Sequence, residues 1–342
     1  MDHVDHSLTT DSKVVTCTLY KLHKILVIMA NHYYVSYNSN QFLKRKTKPN
    51  YSVLIKEEFH DIVLQNVHKT IDNFIKSENE AKNRYLDIPC WDHSRVVIES
   101  KNGEPDYIHA NWINGFEEKK KFIAMQGPMK NTVADFWKVV WQQHSHVIVM
   151  LTKTKEGGNE KCHQYWCPHE NSLLVTEQYT IETLRITTRP NYIRTFLEMT
   201  DKTTQRTRKV THFQCIHWPE HSTPSDLAWF VDFIKMTNRV RKAYMKISSE
   251  DLKDSSSPII VHCNSGIGRT GTFCAADICL NQLVKTSKIS IPETVRTVRE
   301  QRHSGIIRLR HYMFIHRVLE YFLTAVQNNF HKSYDHNCPV CY

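Results

Sequence analysis

The chain has 342 residues, 40% of them hydrophobic, and carries a formal charge of +10. That fits an ordinary globular chain of one large domain or two small ones. Ten cysteines are too sparse for a disulfide scaffold and no signal peptide is evident, so reduced thiols in the cytoplasm are expected. The longest near-apolar stretch, Ile25 to Met29, falls far short of the ~20 residues a membrane span needs, and Lys21 and Lys24 flank it. The basic balance suits acidic or phosphorylated partners as well as nucleic acid, and alone selects neither.

Residues 1–40 read as an N-terminal tail, or as a weak amphipathic helix over 13–30, with Met29 as an alternative start. Lys48 to Lys76 reads as one helix, with Leu54, Phe59, Ile62, Val63, Val67, Ile71 and Phe74 at helical spacing. Strands are expected at Arg95–Glu99, His146–Leu151, Leu173–Thr188, Tyr192–Thr200, Arg206–Cys215 and Ile259–His262. Helices are expected at Thr132–Gln143, Leu227–Lys246, Thr270–Val284, Ile291–Arg302 and around His311–Asn328. No repeat or long linker interrupts the pattern. One mixed α/β domain over 41–328, followed by a C-terminal tail over 329–342, accounts for it.

The run Ile259-Ile260-Val261-His262-Cys263-Asn264-Ser265-Gly266-Ile267-Gly268-Arg269-Thr270-Gly271 carries the most chemistry. A β-branched strand ends in a cysteine that faces the start of a helix. Unpaired N–H groups and the helix dipole favour negative charge there, so the thiol of Cys263 is expected to ionise more readily than usual. The N–H groups from Asn264 to Arg269 can curl around a phosphate dianion. Gly266 and Gly268 permit the backbone angles of such a nest. Arg269 supplies a planar fork that grips two phosphate oxygens, and the Thr270 hydroxyl is expected to donate to the Cys263 sulfur. Attack on a phosphate ester follows.

Two other readings compete. Gly266-x-Gly268-x-x-Gly271 matches a dinucleotide fingerprint literally, with Glu293 at roughly the spacing of its acidic residue, about 20 residues on. Glu293, however, follows Pro292 and opens a helical pattern, with no βαβ unit left to complete. A buried structural cysteine leaves Arg269 and the glycines unexplained.

From about residue 41 to 328 the chain resembles a protein tyrosine phosphatase catalytic domain. Beyond the cysteine loop, Lys82-Asn83-Arg84-Tyr85-Leu86-Asp87 resembles the phosphotyrosine-recognition loop and Asp106-Tyr107-Ile108-His109-Ala110-Asn111 the DYINA strand. Gln126-Gly127-Pro128, followed by Asp135-Phe136-Trp137, matches a further block. Glu156 to Trp166 resembles the loop whose glutamate braces the arginine, and His217-Trp218-Pro219-Glu220-His221-Ser222-Thr223-Pro224 the mobile general-acid loop.

The resemblance implies a twisted mixed sheet flanked by helices and assigns each residue a task. Tyr85 would stack on the substrate ring, and Asp87 would hold the substrate peptide by its backbone N–H groups. Asn264, Ser265, Gly266, Ile267 and Gly268 would cradle the phosphate. Glu156 would fix Arg269, Lys161 would steady the closed loop, and His262, Trp218 and His311 would support the site. Cys263 would attack phosphorus while Glu220 protonates the leaving tyrosyl oxygen; a water would then hydrolyse the phosphocysteine. No metal or other cofactor is required. Phosphotyrosine proteins are the implied partners, with no nucleic acid and a monomeric chain.

Departures from the family pattern bear on rate. Glu220 stands where the family has aspartate, Ser222 where it has glycine, and Ile307-Arg308-Leu309-Arg310-His311-Tyr312 where a water-positioning loop reads Q-T-x-x-Q-Y. Attack is intact on this reading and hydrolysis impaired. An active but slow phosphatase and a phosphotyrosine-binding trap with little turnover are both compatible. The single domain and degenerate loop further resemble the tyrosine phosphatases of wasp bracoviruses, which implies action in host immune-cell signalling. Cys338-Pro339-Val340-Cys341, with His331 and His336, has ligand types that zinc accepts but reads as a solvated tail.

Overall fold

The structure, a computed structural model, describes residues 36–62, 69–99, 103, 105–219, 222–248 and 257–335. The helix proposed over 13–30 and the residues Glu220, His336, Cys338 and Cys341 lie outside this set, as does the side chain of His331. In chain order the first elements are β1 (Tyr37–Asn38), α1 (Ser39–Lys46), α2 (Tyr51–Asp61), α3 (Asp72–Ile75) and α4 (Ser77–Glu80). There follow β2 (Arg95–Val97), β3 (Tyr107–Gly115), β4 (Glu118–Met125), α5 (Val133–Gln142), β5 (Val147–Met150), β6 (Lys155–Glu156) and β7 (Asn159–Glu160). Next come β8 (Ser172–Val175), β9 (Tyr179–Thr188), β10 (Tyr192–Asp201), β11 (Thr207–Cys215) and α6 (Leu227–Ser248). β12 (Ile259–His262), α7 (Gly268–Thr286), β13 (Lys288–Ile289), α8 (Ile291–Gln301) and α9 (Leu309–Asp335) complete the set.

A nine-stranded mixed sheet runs β2–β3–β4–β12–β5–β11–β10–β9–β8. Its centre, β4, β12, β5 and β11, is parallel. Both faces are covered, and the strands alternate accordingly. Val147, Val149, Ile259 and Val261 join a core with Phe230 and Phe233 of α6, Phe273 of α7 and Val318 of α9. Ile148, Met150 and Ile260 join the opposite core with Phe136, Trp137 and Val140 of α5. Period-two alternation in these strands thus sorts side chains between two apolar layers, not between core and water. β12 sits deep in the sheet, and its carboxyl end delivers Cys263 to a rim where loops gather. β1 pairs with β13, so among the described residues strand pairing is present from Tyr37.

Two expected elements are interrupted. The helix over 48–76 stops at Asp61, where Ile62 turns out at ψ 80°. Downstream the Asp92 carboxylate accepts from the Thr70 hydroxyl at 2.7 Å and from the Asn73 N–H at 3.1 Å, beginning α3 anew. Phe59, Ile62 and Phe74 are buried although no single helix carries them; Val63 and Val67 lie outside the described residues. The strand over 173–188 is a hairpin, β8 and β9, turned at Glu177-Gln178. Thr176 closes it: its hydroxyl oxygen accepts from the Tyr179 N–H at 3.0 Å. The dinucleotide alternative also falls, because Glu293 lies in the first turn of α8, bonded to Arg296.

Candidate active site

Cys263 leaves β12 buried, at 4% exposure, and the chain curls into α7. Gly266 makes the curl possible: its φ is +73°, and a Cβ there would lie 2.2 Å from the Met125 carbonyl oxygen. Only glycine fits. The Gly266 N–H turns inward and donates to the Cys263 sulfur at 3.3 Å. The loop's carbonyls are drawn the other way. Arg302, with no exposed surface, donates from Nε to the Gly266 oxygen at 3.1 Å and from its fork to the Ser265 oxygen at 3.2 Å. The same guanidinium reaches Asn111 Oδ1 at 2.8 Å and His109 Nδ1 at 3.0 Å. Burial, and then Arg302 itself, push His109 down to about 3, so its ring is neutral and its Nδ1 accepts. On the other side, the Gly127 N–H donates to the Asn264 oxygen at 2.8 Å. The carbonyls are held outward and the N–H groups are left facing the centre.

Arg269 is fixed from below. Its fork meets both oxygens of Glu156, at 2.7 and 2.9 Å, and a further N–H reaches the Leu151 oxygen at 2.9 Å. Burial alone would lower the guanidinium's affinity for its proton; the hydrogen bonds and charge of Glu156 override it and raise it. Glu156 is held in turn by the Thr152 hydroxyl and the Lys153 N–H, at 2.9 and 3.1 Å. Burial raises its carboxyl, but bonding to Arg269 prevails and holds it below its ordinary value. The remaining edge of Arg269 reaches the Pro219 oxygen at 3.4 Å, which brings the loop preceding Glu220 against the site. Trp218, buried, closes that loop by donating to the Ser222 oxygen at 3.2 Å.

Tyr85, 37% exposed, stands at the mouth, and its hydroxyl accepts from Asn264 at 2.7 Å. Asp87 is exposed beside it. The Lys161 N–H donates to the Thr154 oxygen at 2.8 Å, just after the β6–β7 hairpin. His262 belongs to a buried chain: Tyr165 Oη lies 2.7 Å from His262 Nε2 and 2.8 Å from His212 Nε2. Burial pushes both imidazoles down, to about 4 and about 3, so the chain is neutral. His262 Nδ1, 3.1 Å from the Cys263 oxygen, is then the donor that fixes the carbonyl next to the sulfur.

The expected bond from Thr270 to the sulfur is not made. Its hydroxyl is fully buried with no hydrogen-bond partner among the described residues. Segment 306–311 packs on the loop, with the Ile306 N–H donating to the Ile267 oxygen at 3.1 Å. Ile307 is 51% exposed, and His311 is buried with Nδ1 unpartnered. A Cβ on Gly268 would lie 2.9 Å from the His311 ring, which explains that glycine. Burial, and then Arg310, Arg269 and Arg308, push His311 down to about 4. No sequence motif assigns Arg302 a role, although its partners His109 and Asn111 belong to the DYINA-like block. Among the described residues no cluster of three or more His, Cys, Asp or Glu side chains is placed to hold a metal ion. Nor is any described helix long and apolar enough to cross a membrane.

A buried cysteine cradled by N–H groups and a braced arginine, on a mixed α/β sheet, has the geometry that suits a phosphate monoester. Residues 79–321 match the family described as protein-tyrosine phosphatase, and the chain belongs to that family. It is 44% identical to the probable tyrosine phosphatase protein N1 of Microplitis demolitor bracovirus, over 83% of this chain and 90% of that protein. It is 36% identical to tyrosine phosphatase H2 of the same virus, over 87% of this chain and 92% of that protein. The rat tyrosine-protein phosphatase non-receptor type 9 is 37% identical over 78% of this chain but 45% of its own length. The resemblance drawn from the sequence motifs, including that to the bracovirus group, is borne out.

Proposed function

We propose that this protein-tyrosine phosphatase works through a phosphocysteine intermediate and is limited by its hydrolysis. The observation that carries the reading is the loop itself, with Arg269 clamped to Glu156 above a buried thiol. In the first step the Cys263 sulfur forms a bond to phosphorus as the bond to the tyrosyl oxygen breaks, and Glu220 gives that oxygen its proton. The N–H groups and Arg269 carry the equatorial charge without reorganising. In the second step a water oxygen bonds to phosphorus, the sulfur leaves, and the Glu220 carboxylate takes the water's proton.

Three features weaken that second step. Ile307 offers no hydrogen bond to the water. The Thr270 hydroxyl is not bonded to the departing sulfur. Glu220 carries one methylene more than aspartate, which bears on proton transfer in both steps, the water's proton included. His311, neutral and with Nδ1 unpartnered, is the group left to hold a water. The substrates on this reading are phosphotyrosine proteins in the cytoplasm of a host cell, with immune-cell signalling as the setting, and the chain acts as a monomer. Ile307 also favours the second reading, a trap that binds phosphotyrosine and scarcely turns over.

Rapid-quench release of product from an acidic phosphotyrosine peptide separates the two. We expect a stoichiometric burst of dephosphorylated peptide followed by slow turnover, and no burst from Cys263→Ser. Fast linear turnover would remove the hydrolysis-limited reading. Tight binding without release would establish the trap.

A further inference from the structure

On the side of the molecule formed by α6, the end of α7 and the β3–β4 hairpin lies a groove of about 710 Å³. Seven lysine and arginine side chains line it against one carboxylate, Glu118. Four of them, Lys235, Arg239, Lys242 and Lys246, recur at intervals of four, three and four along α6, which is the spacing of a single helix face. The stripe is therefore about 16 Å long, the length of some five residues of extended chain. Carboxylates meet four of the seven cations, and positive charge is in excess: Glu118 pairs with Arg241, Asp277 with Lys121, Glu117 with Lys285 at 3.0 Å and Asp232 with Lys235 at 3.9 Å. The floor is apolar, with Phe116, Leu280, Phe322 and Val284, the last 70% exposed.

The groove is built. Arg241 of α6 pairs with Glu118 of β4, and Lys121 of β4 pairs with Asp277 of α7, which also accepts from Asn238 of α6. Asp277 has no exposed surface and Lys121 has 3%. Well-packed apolar residues would hold three elements together at least as firmly as buried ion pairs do. The charged network ties together the three elements that wall the groove.

We propose that this groove docks an acidic peptide segment of a partner protein that also carries apolar side chains. Charge complementarity selects an anionic occupant, and the apolar side chains, from buried Leu280 out to exposed Val284, select one with side chains to insert. A flat lipid surface does not reach Leu280, and a nucleic acid brings no aliphatic side chains to it. The groove is separate from the phosphate site: Leu280 lies eleven residues along α7 from Arg269, about 16 Å of helix. A docked segment would raise the local concentration of the chain it belongs to without touching the chemistry.

The test is fluorescence anisotropy of the full chain with a labelled peptide of Asp, Glu, Leu and Phe that contains no phosphotyrosine. We expect micromolar binding that weakens about tenfold between low and moderate salt. It should fall at least tenfold in the double charge reversal Arg239→Glu/Lys242→Glu and in Val284→Asp. Hydrolysis of a small aryl phosphate should be unchanged in all of them, which controls for folding and keeps the groove distinct from the catalytic reading. Binding that survives both kinds of variant overturns the proposal. So does tighter binding, sensitive to the same variants, to phosphatidylserine vesicles or to an RNA duplex.

Discussion

Ile307 presents a branched hydrocarbon in the segment that packs on the phosphate-binding loop, and it can neither donate to a water nor accept from one. Restoring an amide there tests whether the missing hydrogen bond limits turnover. Ile307→Gln should raise the steady-state rate by roughly tenfold, within the range a positioned proton-transfer group contributes. The burst of the first turnover should keep its rate, because that step does not use the water. A steady-state rate equal to that of the parent would show that hydrolysis is limited elsewhere. Cys263, Arg269 and the glycines were legible in the sequence because one short stretch contains them all. Arg302 was not, because its guanidinium arrives from the end of a different helix and pattern alone gives no reason for its burial.

Three helices meet at one buried carboxylate. Glu58 of α2 pairs with Arg45 of α1 at 2.6 Å and accepts from Tyr312 of α9, with His316 alongside. Burial alone would raise the carboxyl; hydrogen bonding and charge from His316, with Arg45, override it and hold it at about 2, against an ordinary 4.5. The folded value is depressed, so the stabilisation is complete above the unfolded value and is lost as pH falls from about 4.5 toward 2. Removing the charge with Glu58→Gln leaves Arg45 uncompensated and should cost about 3 kcal/mol at neutral pH. Thermal midpoints followed by circular dichroism from pH 7 to pH 3 are the measurement. The parent should lose stability over the acid limb and the variant much less; parallel curves would refute the clamp. α1, which carries Arg45, was not foreseen, and neither was β4. Three consecutive lysines, Lys119 to Lys121, hide the strand pattern of β4, since only Lys121 finds a buried partner. Elements whose polar residues are satisfied at long range are the ones a local pattern misses.

The whole chain carries +10, with Arg308 and Arg310 flanking the site in the segment that also bears Ile307 and His311. The order of strands around β12 was not written in any one of them, yet it decides which loops, the one with Arg308 and Arg310 included, gather at the mouth. In a hydrolysis-limited phosphatase the two kinetic constants report different events. Turnover reports water attack on the phosphocysteine, whereas kcat/KM reports capture and the first chemical step. A long-range field acts on capture alone. Raising ionic strength from about 20 to about 300 mM should therefore lower kcat/KM for a phosphopeptide with acidic flanks by roughly tenfold, as the screening length shortens to a few ångströms. The turnover number should stay the same, because the intermediate is already formed when water attacks. A phosphopeptide with neutral flanks should show a shallower slope. Equal slopes for the two peptides would mean that the positive field plays no part in choosing the substrate.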